Sequence, residues 1–466
     1  MEKKKNAWLK YSEEELRKVN DFAEEYRAFI SNNKTERECV KSGVAMLEAA
    51  GFSNLADAIR ENRKLKAGDK VYAVHMGKQL LAFIIGRQPL ENGMNILGAH
   101  IDSPRIDVKQ NPVYEEKELA YFDTHYYGGI KKYQWVTLPM AIHGVIAKKD
   151  GTVVDVVIGE DDDTVVGISD ILIHLAGKQM AKNASVAVEG ENLDVLVAGR
   201  PLAQNDDEEK KEEKNAVKKA LLKILKDRYD VEEEDLLSAE LEVVPSGKAR
   251  NFGLDSSMIM GYGHDDRCCA YPSLVALIEA GAQEKTGVCM LVDKEEVGSI
   301  GATGMKSRFF ENTVAELISL TTDSYSDLLL RRALQNSCML SSDVSAAFDP
   351  LYAASFESKN AAYLSHGLVF NKFTGARGKS GSNDANAEYM ALIRRTMDEA
   401  DVSYHTAELG KVDEGGGGTI AYIMARYGMQ VIDSGLAVLN MHAPWEIISK
   451  ADLYESKKGY MAFLKI

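Results

Sequence analysis

The sequence predicts an α/β fold in which a mixed central sheet, flanked by helices, is interrupted by an inserted β-rich domain. Three observations lead there. Apolar residues recur at three- and four-residue spacing over residues 10–65, the period of an amphipathic helix. Apolar runs that turn polar at their ends occur both before residue 110 and after residue 250. Between those points short β-rich pieces with glycine turns replace that rhythm. The simplest organisation builds one α/β domain from residues 1–109 and 250–466 and places a β-rich domain, 110–249, inside it, whose strand-rich pieces suit subunit contacts.

Taken in order, YSEEELRKVNDFAEEYRAFI and TERECVKSGVAMLEAAGF are the helical segments. VYAVHMGKQLLAFIIG is strand-like, and MNILGAHIDSP is apolar up to Gly98 and polar from His100. A buried strand ending in a polar loop is a common place for chemistry in α/β folds. In the middle, QWVTLPMAIHGVIAKKDGTVVDVVIG reads as strands with glycine turns. The later run QNDDEEKKEEKNAVKK is solvated, expected as a surface loop or an exposed helix start. After residue 250, GVCMLVDKEEVGS is a buried strand running into acidic residues, and VAELISL and AEYMALIRRTMDEA are helices. GMQVIDSGLAVLNMHAPWE is strand, turn and strand ending at His442.

Bulk properties exclude several classes. A chain of 466 residues is too long for one ordinary core. The net charge of −15 argues against nucleic-acid binding, which needs a basic face. No apolar run is long enough to span a membrane, and the opening MEKKKNAWLKYSEEE lacks the apolar stretch of a signal peptide. The five cysteines are odd in number and form no C-x-x-C pair, which points to a reducing, cytoplasmic compartment rather than a disulfide framework. Cys268 and Cys269 read as small buried residues rather than a thiolate metal site.

Five short segments each end an apolar run with side chains that suit a metal ion. They are GAHIDSP with His100 and Asp102, GHDDRCC with Asp265 and Asp266, LVDKEEVGS with Glu295 and Glu296, SSDVSAAFDP with Asp343, and LNMHAPWE with His442. Imidazole and carboxylate together suit zinc, and also manganese or cobalt. Adjacent glutamates point in different directions, so one can bind a metal while the other acts as a base on water. In His-x-Asp the carboxylate can hydrogen-bond the ring nitrogen that faces away from the metal, fixing tautomer and basicity. Buried carboxylates without partners are costly, and a dication removes that cost.

The set GAHIDSPR, GHDDRCCAY, DKEEVGS, SSDVSAAFDPLY and MHAPWE, in this order, closely resembles the aspartyl aminopeptidase and aminopeptidase I family of dinuclear metallopeptidases. The resemblance extends through most of the chain, the inserted domain included. It implies a zinc-peptidase-like fold and a metalloaminopeptidase that holds two divalent ions, zinc with manganese or cobalt as alternatives. Asp265 matches the carboxylate that bridges both ions, His100 and Asp343 the other ligands of one, Glu296 and His442 those of the second. Glu295 matches the general base, and Asp102 the carboxylate that orients His100. In the inserted domain His174, in DILIHLAGK, matches a histidine that family members extend into a neighbouring subunit's active site; ILIHLA also fits a plain helix face. Lys372, in GLVFNKF, lies near the family's substrate-side lysine. Peptide substrates and a tetrahedral homododecamer are further implications.

The run departs from the more familiar family pattern at Asp266, where Asn commonly follows the bridging Asp. The glycine run Gly415–Gly418 fits either a flexible turn or a backbone pocket near the substrate. Related two-metal carboxypeptidases, dipeptidases or deacylases share such a ligand set, and an inactive shell-forming protein is the non-enzymatic alternative. GATGMKS at 301–307 lacks the spacing of a phosphate loop.

Overall fold

The computed structural model describes residues 5–160, 163–202 and 214–466. The chain divides into two compact units. The first comprises residues 1–103, 249–441 and 446–466, and the second 104–248 and 442–445. The sequence-based boundary at residue 110 moves to Pro104, because a long strand already starts at Arg105. A four-residue excursion around His442, which no periodicity marks, also belongs to the second unit.

The first unit is built on a nine-stranded mixed sheet. Its centre is four neighbouring parallel strands: Thr286–Val292, Met94–His100, Cys338–Ser341 and Gln430–Gly435. The first two are buried along their whole length, as parallel strands covered on both faces must be. Antiparallel strands extend the sheet on both sides, Gln79–Ile84 beside Thr286–Val292 and Leu368–Asn371 beside Gln430–Gly435. Strand alternation sends Leu97 and Ala99 into one apolar cluster and Ile96 into another. Helices Glu13–Asn32, His264–Ala280 and Lys450–Phe463 contribute to the first cluster, and Phe309–Thr321 to the second.

Local chemistry explains the element ends. The helical stretch expected over residues 10–65 resolves into Glu13–Asn32, Glu36–Ala49 and Leu55–Arg60. Ser12 with Glu15, and Thr35 with Glu38, form capping boxes that start the first two, each cap contributing about 1 kcal/mol. The strand-like run VYAVHMGKQLLAFIIG is two strands, Lys70–His75 and Gln79–Ile84. Met76 and Gly77 both adopt positive φ between them, the geometry of a tight hairpin turn.

Among the described residues the second unit contains a six-stranded antiparallel sheet. Arg105 lies against Asp107 at 2.8 Å and Glu242 at 3.3 Å, with its guanidinium 3.9 Å from the Tyr127 ring centre. Helix Ala216–Tyr229 buries Val217, Leu221 and Leu225. Most of the charge run at 204–219 falls outside the described residues; its last part opens that helix.

Candidate metal centre

The four parallel strands run side by side toward the chemistry-bearing residues, with Val292 opposite His100, and Ser341 opposite Gly98 on one side and Asp433 on the other. Chemistry-bearing residues follow each end. His100 closes its strand and is buried. Asp343 follows Ser341, with its N–H donating to Ser434 O at 3.3 Å and that of Ser342 to Gly98 O at 2.6 Å. Gly435 makes this possible, since a Cβ there would lie 1.9 Å from the Asp343 carbonyl oxygen.

Glu295 and Glu296 stand on a short 3-10 turn, Glu295–Val297, rather than on extended chain. Asp293 opens it by accepting the Lys294 N–H at 2.7 Å and the Thr303 hydroxyl at 2.5 Å. The Asp102 carboxylate then accepts the N–H of Glu295 at 3.1 Å and of Glu296 at 3.2 Å, satisfying two donors that the start of a helical turn leaves open. Asp265 precedes the regular part of its helix, and neither it nor Asp266 has helical backbone angles. Its carbonyl accepts the Ser103 hydroxyl at 2.8 Å, and its N–H donates to Glu446 Oε2 at 3.0 Å.

These anchors converge the side chains. His100 Nδ1–H donates to the Asp102 carbonyl oxygen at 2.9 Å and lies 3.4 Å from Asp102 Oδ1. His100 Nε2 faces Asp265 Oδ1 at 3.1 Å and Asp343 Oδ1 at 4.0 Å. Among the described residues, donor atoms lie within 4.8 Å of one another in four sets: His100, Asp265 and Glu296; His100, Glu295 and Asp343; Asp265, Asp266 and Asp343; and Asp266, Cys268 and Cys269, so the two cysteines read as small buried residues do stand beside this group.

Electrostatics shows what this arrangement wants. Burial opposes a charge on His100, yet Asp102, Asp265 and Asp343 outweigh it and hold its pKa well above the usual imidazole value. Burial pushes the Asp343 carboxyl well up; His100 counteracts this, while Glu295, Asp265 and Asp433 reinforce it. Asp266 is raised first by burial, with Cys269 and Asp343 adding to the shift. An imidazole nitrogen and a carboxylate oxygen 3.1 Å apart need a proton or a cation between them. Buried oxygen and imidazole donors that crowd one another in this way fit a divalent ion of the zinc type.

Three other residues singled out in the sequence are in none of these sets. His442 belongs to the second unit, where its Nδ1–H donates to Gly129 O at 2.8 Å, leaving Nε2 as the basic nitrogen. His174 lies in the exposed turn Ile173–Leu175 of the same unit, between the exposed apolar residues Ile171, Leu172, Ile173 and Leu175. Lys372 is not brought into the donor group. It follows the strand Leu368–Asn371, is exposed, and pairs through Nζ with Asp384 at 2.5 Å, while the neighbouring Asn371 takes a buried position. The sequence reading missed three buried acids that touch or face the group: Asp293, Asp433 and Glu446. The available signal was an acid inside or directly after an apolar strand, as in MLVD and QVID.

A family model described as aminopeptidase I zinc metalloprotease (M18) matches residues 29–464. A probable M18 family aminopeptidase 1 from Clostridium acetobutylicum is 60% identical over 461 residues, covering 99% of this chain and 98% of that protein. The crystal structure of aminopeptidase I from Clostridium acetobutylicum superposes with a TM-score of 0.92 at 57% identity, covering 100% of both chains. A structure of the S. cerevisiae mApe1 dodecamer shares the fold at 21% identity, with a TM-score of 0.76 over 96% of this chain and 97% of that one.

Proposed function

The chain belongs to the M18 family of aminopeptidase I zinc metalloproteases, and from that premise we propose how its residues divide the work of a metal-dependent aminopeptidase. It is a hydrolase acting on peptide bonds. The observation that carries the assignment is the overlap of donor sets around His100 and Asp265, which supports a site for two divalent ions rather than one. Asp265 would serve both ions, His100 and Asp343 would hold one, and Glu296 with His442 would hold the other. The Gly129 contact supports a ligand role for His442 by directing the proton to Nδ1.

Bound divalent ions supply Lewis acidity, polarising the scissile carbonyl and lowering the pKa of a water. Glu295 would accept a proton from the attacking water and return it to the leaving amine. Asp102 holds the backbone of both glutamates and the imidazole of His100, so the base and two donors keep one geometry through the cycle. A free α-amino group at the substrate's N-terminus completes recognition and makes cleavage stepwise from that end.

We assign the protein to homo-oligomers, with a tetrahedral dodecamer as the specific form. The exposed apolar residues around His174 support this, and His174 would then serve a neighbouring subunit's site. Five cysteines without a disulfide among them support a reducing, cytoplasmic location.

The test is release of free amino acids from matched unblocked and N-acetylated peptides, with chelator and with Zn²⁺, Mn²⁺ or Co²⁺ restored. Stepwise N-terminal release, abolished by acetylation or chelation, is the expected result. Release from the C-terminus, or cleavage of acylated substrates alone, would replace this reading with that of a carboxypeptidase or deacylase.

A further inference from the structure

The glycine run Gly415–Gly418 is not a slack turn. Gly415 N–H donates to Lys411 O at 2.8 Å, and Gly417 N–H to Thr374 O at 3.1 Å. A Cβ on Gly415 would lie 1.8 Å from Leu409 O, and one on Gly416 2.4 Å from Ala376 Cα. Gly416 also sits at φ +125°. Three backbone segments therefore close on one another at distances that only glycine permits.

One side chain ties this run to the sheet. Thr419, directly after it, donates its hydroxyl to Asp433 Oδ1 at 2.6 Å and accepts the Ala421 N–H at 3.2 Å. Asp433 is buried in the strand Gln430–Gly435, opposite Ser341 on one side and Asn371 on the other. It shares a sheet face with Val431, and by the same alternation Ser341 shares it with Met339 and His100 with Ile96. Ile420, next to Thr419, crosses that face 3.5 Å from where a Cβ on Gly98 would stand. Each of these contacts lies two residues before a metal-centre residue, His100 after Gly98 and Asp343 after Ser341, about 7 Å along the strand. Burial pushes the Asp433 carboxyl up to about 7, and the charge of Glu295 adds to that shift.

We infer that Asp433, acting through Thr419, is a positioning residue for the peptide substrate: it fixes the glycine run as a wall of the cleft beside His100 and Asp343. The inference rests on the reading of the metal centre given above. Neither residue is a metal donor or a base in that reading, so loss of the link moves the wall and leaves the donors in place. The consequence is weaker peptide binding at unchanged metal content.

The experiment measures KM, kcat and bound metal for Thr419→Val, Thr419→Ser and Gly416→Ala. Losing a hydrogen bond to a buried carboxyl predicts that Thr419→Val raises KM about tenfold with kcat nearly unchanged. Thr419→Ser, which keeps the hydroxyl, restores parental KM. Gly416→Ala disturbs the wall without touching Asp433 and raises KM likewise; should Thr419→Val fail to fold, this variant decides. Parental KM in the decisive variant overturns the inference, as does a loss of metal or of kcat at unchanged KM. A parent enzyme that releases no N-terminal residue would instead overturn the underlying reading of the site.

Discussion

Asp102 accepts the backbone N–H of Glu295 at 3.1 Å through one carboxylate oxygen, and that of Glu296 at 3.2 Å through the other. The two residues lie almost two hundred positions from Asp102, on the loop after a neighbouring parallel strand. Asn at position 102 would keep one acceptor and set an amide N–H against the second donor. Asp102→Asn is therefore expected to weaken metal binding about 10–100-fold and to lower kcat/KM with it. Chelator competition measures the first and initial rates the second; unchanged metal affinity would limit Asp102 to a folding role.

Glu295→Gln removes the proton acceptor and keeps a side chain of the same shape. Turnover should fall about 10²–10⁴-fold or more, with metal content and unfolding midpoint preserved. Metal analysis alongside steady-state kinetics checks this. Retained activity would move the base to another residue, with Glu296 the first candidate.

Metal removal should destabilise the fold. The buried carboxylates around His100 are held apart from their ordinary charge states, and a divalent ion relieves that. Zinc at about 100 times its dissociation constant stabilises the native state by about 2.7 kcal/mol. Denaturation midpoints with chelator and with restored zinc measure the difference, and coincident midpoints would refute the metal fit.

Asp452 supplies a pH prediction remote from the metal centre. Burial raises its carboxyl to about 8, even though the N–H groups of Ser365 and Gly367 donate to it at 2.7 and 2.6 Å. The native state then keeps a proton that the unfolded chain releases above about pH 4. Between about pH 4 and pH 8 the native state binds more protons, so this group lowers stability as pH rises. Urea midpoints across that window should fall less steeply for Asp452→Asn than for the parent. An identical slope would show that the group titrates normally.

His174→Ala should lower activity without changing metal content, since the residue is exposed within an apolar surface of the second unit. Rates per subunit, measured with the assembly mass, check this. An unaffected rate in an intact assembly would confine His174 to packing.

Much of the fold and part of the site were legible from sequence because they follow local rules. Period 3.6 marks the helices after Ser12 and Thr35, whose capped starts only the structure showed. Apolar runs that end at His100 and Asp343 mark strand ends, because a buried strand cannot continue through a charged residue without a partner. The hairpin at Met76–Gly77 was missed because both strands are apolar enough to read as one. Asp433 was missed because one acid in QVIDSG has no local signal of its partner Thr419.

The sequence by itself determined which residue types stand at the ends of which strands, since hydrophobic periodicity and burial act over a few neighbouring positions. Only the tertiary structure decided that Asp102 grips the backbone of Glu295 and Glu296, that His100 Nε2 meets Asp265 and Asp343, and that Asn371 rather than Lys372 turns inward. Those relationships depend on register between strands far apart in the chain. A one-residue slip would send every side chain to the other face, and packing of the whole sheet is what forbids it.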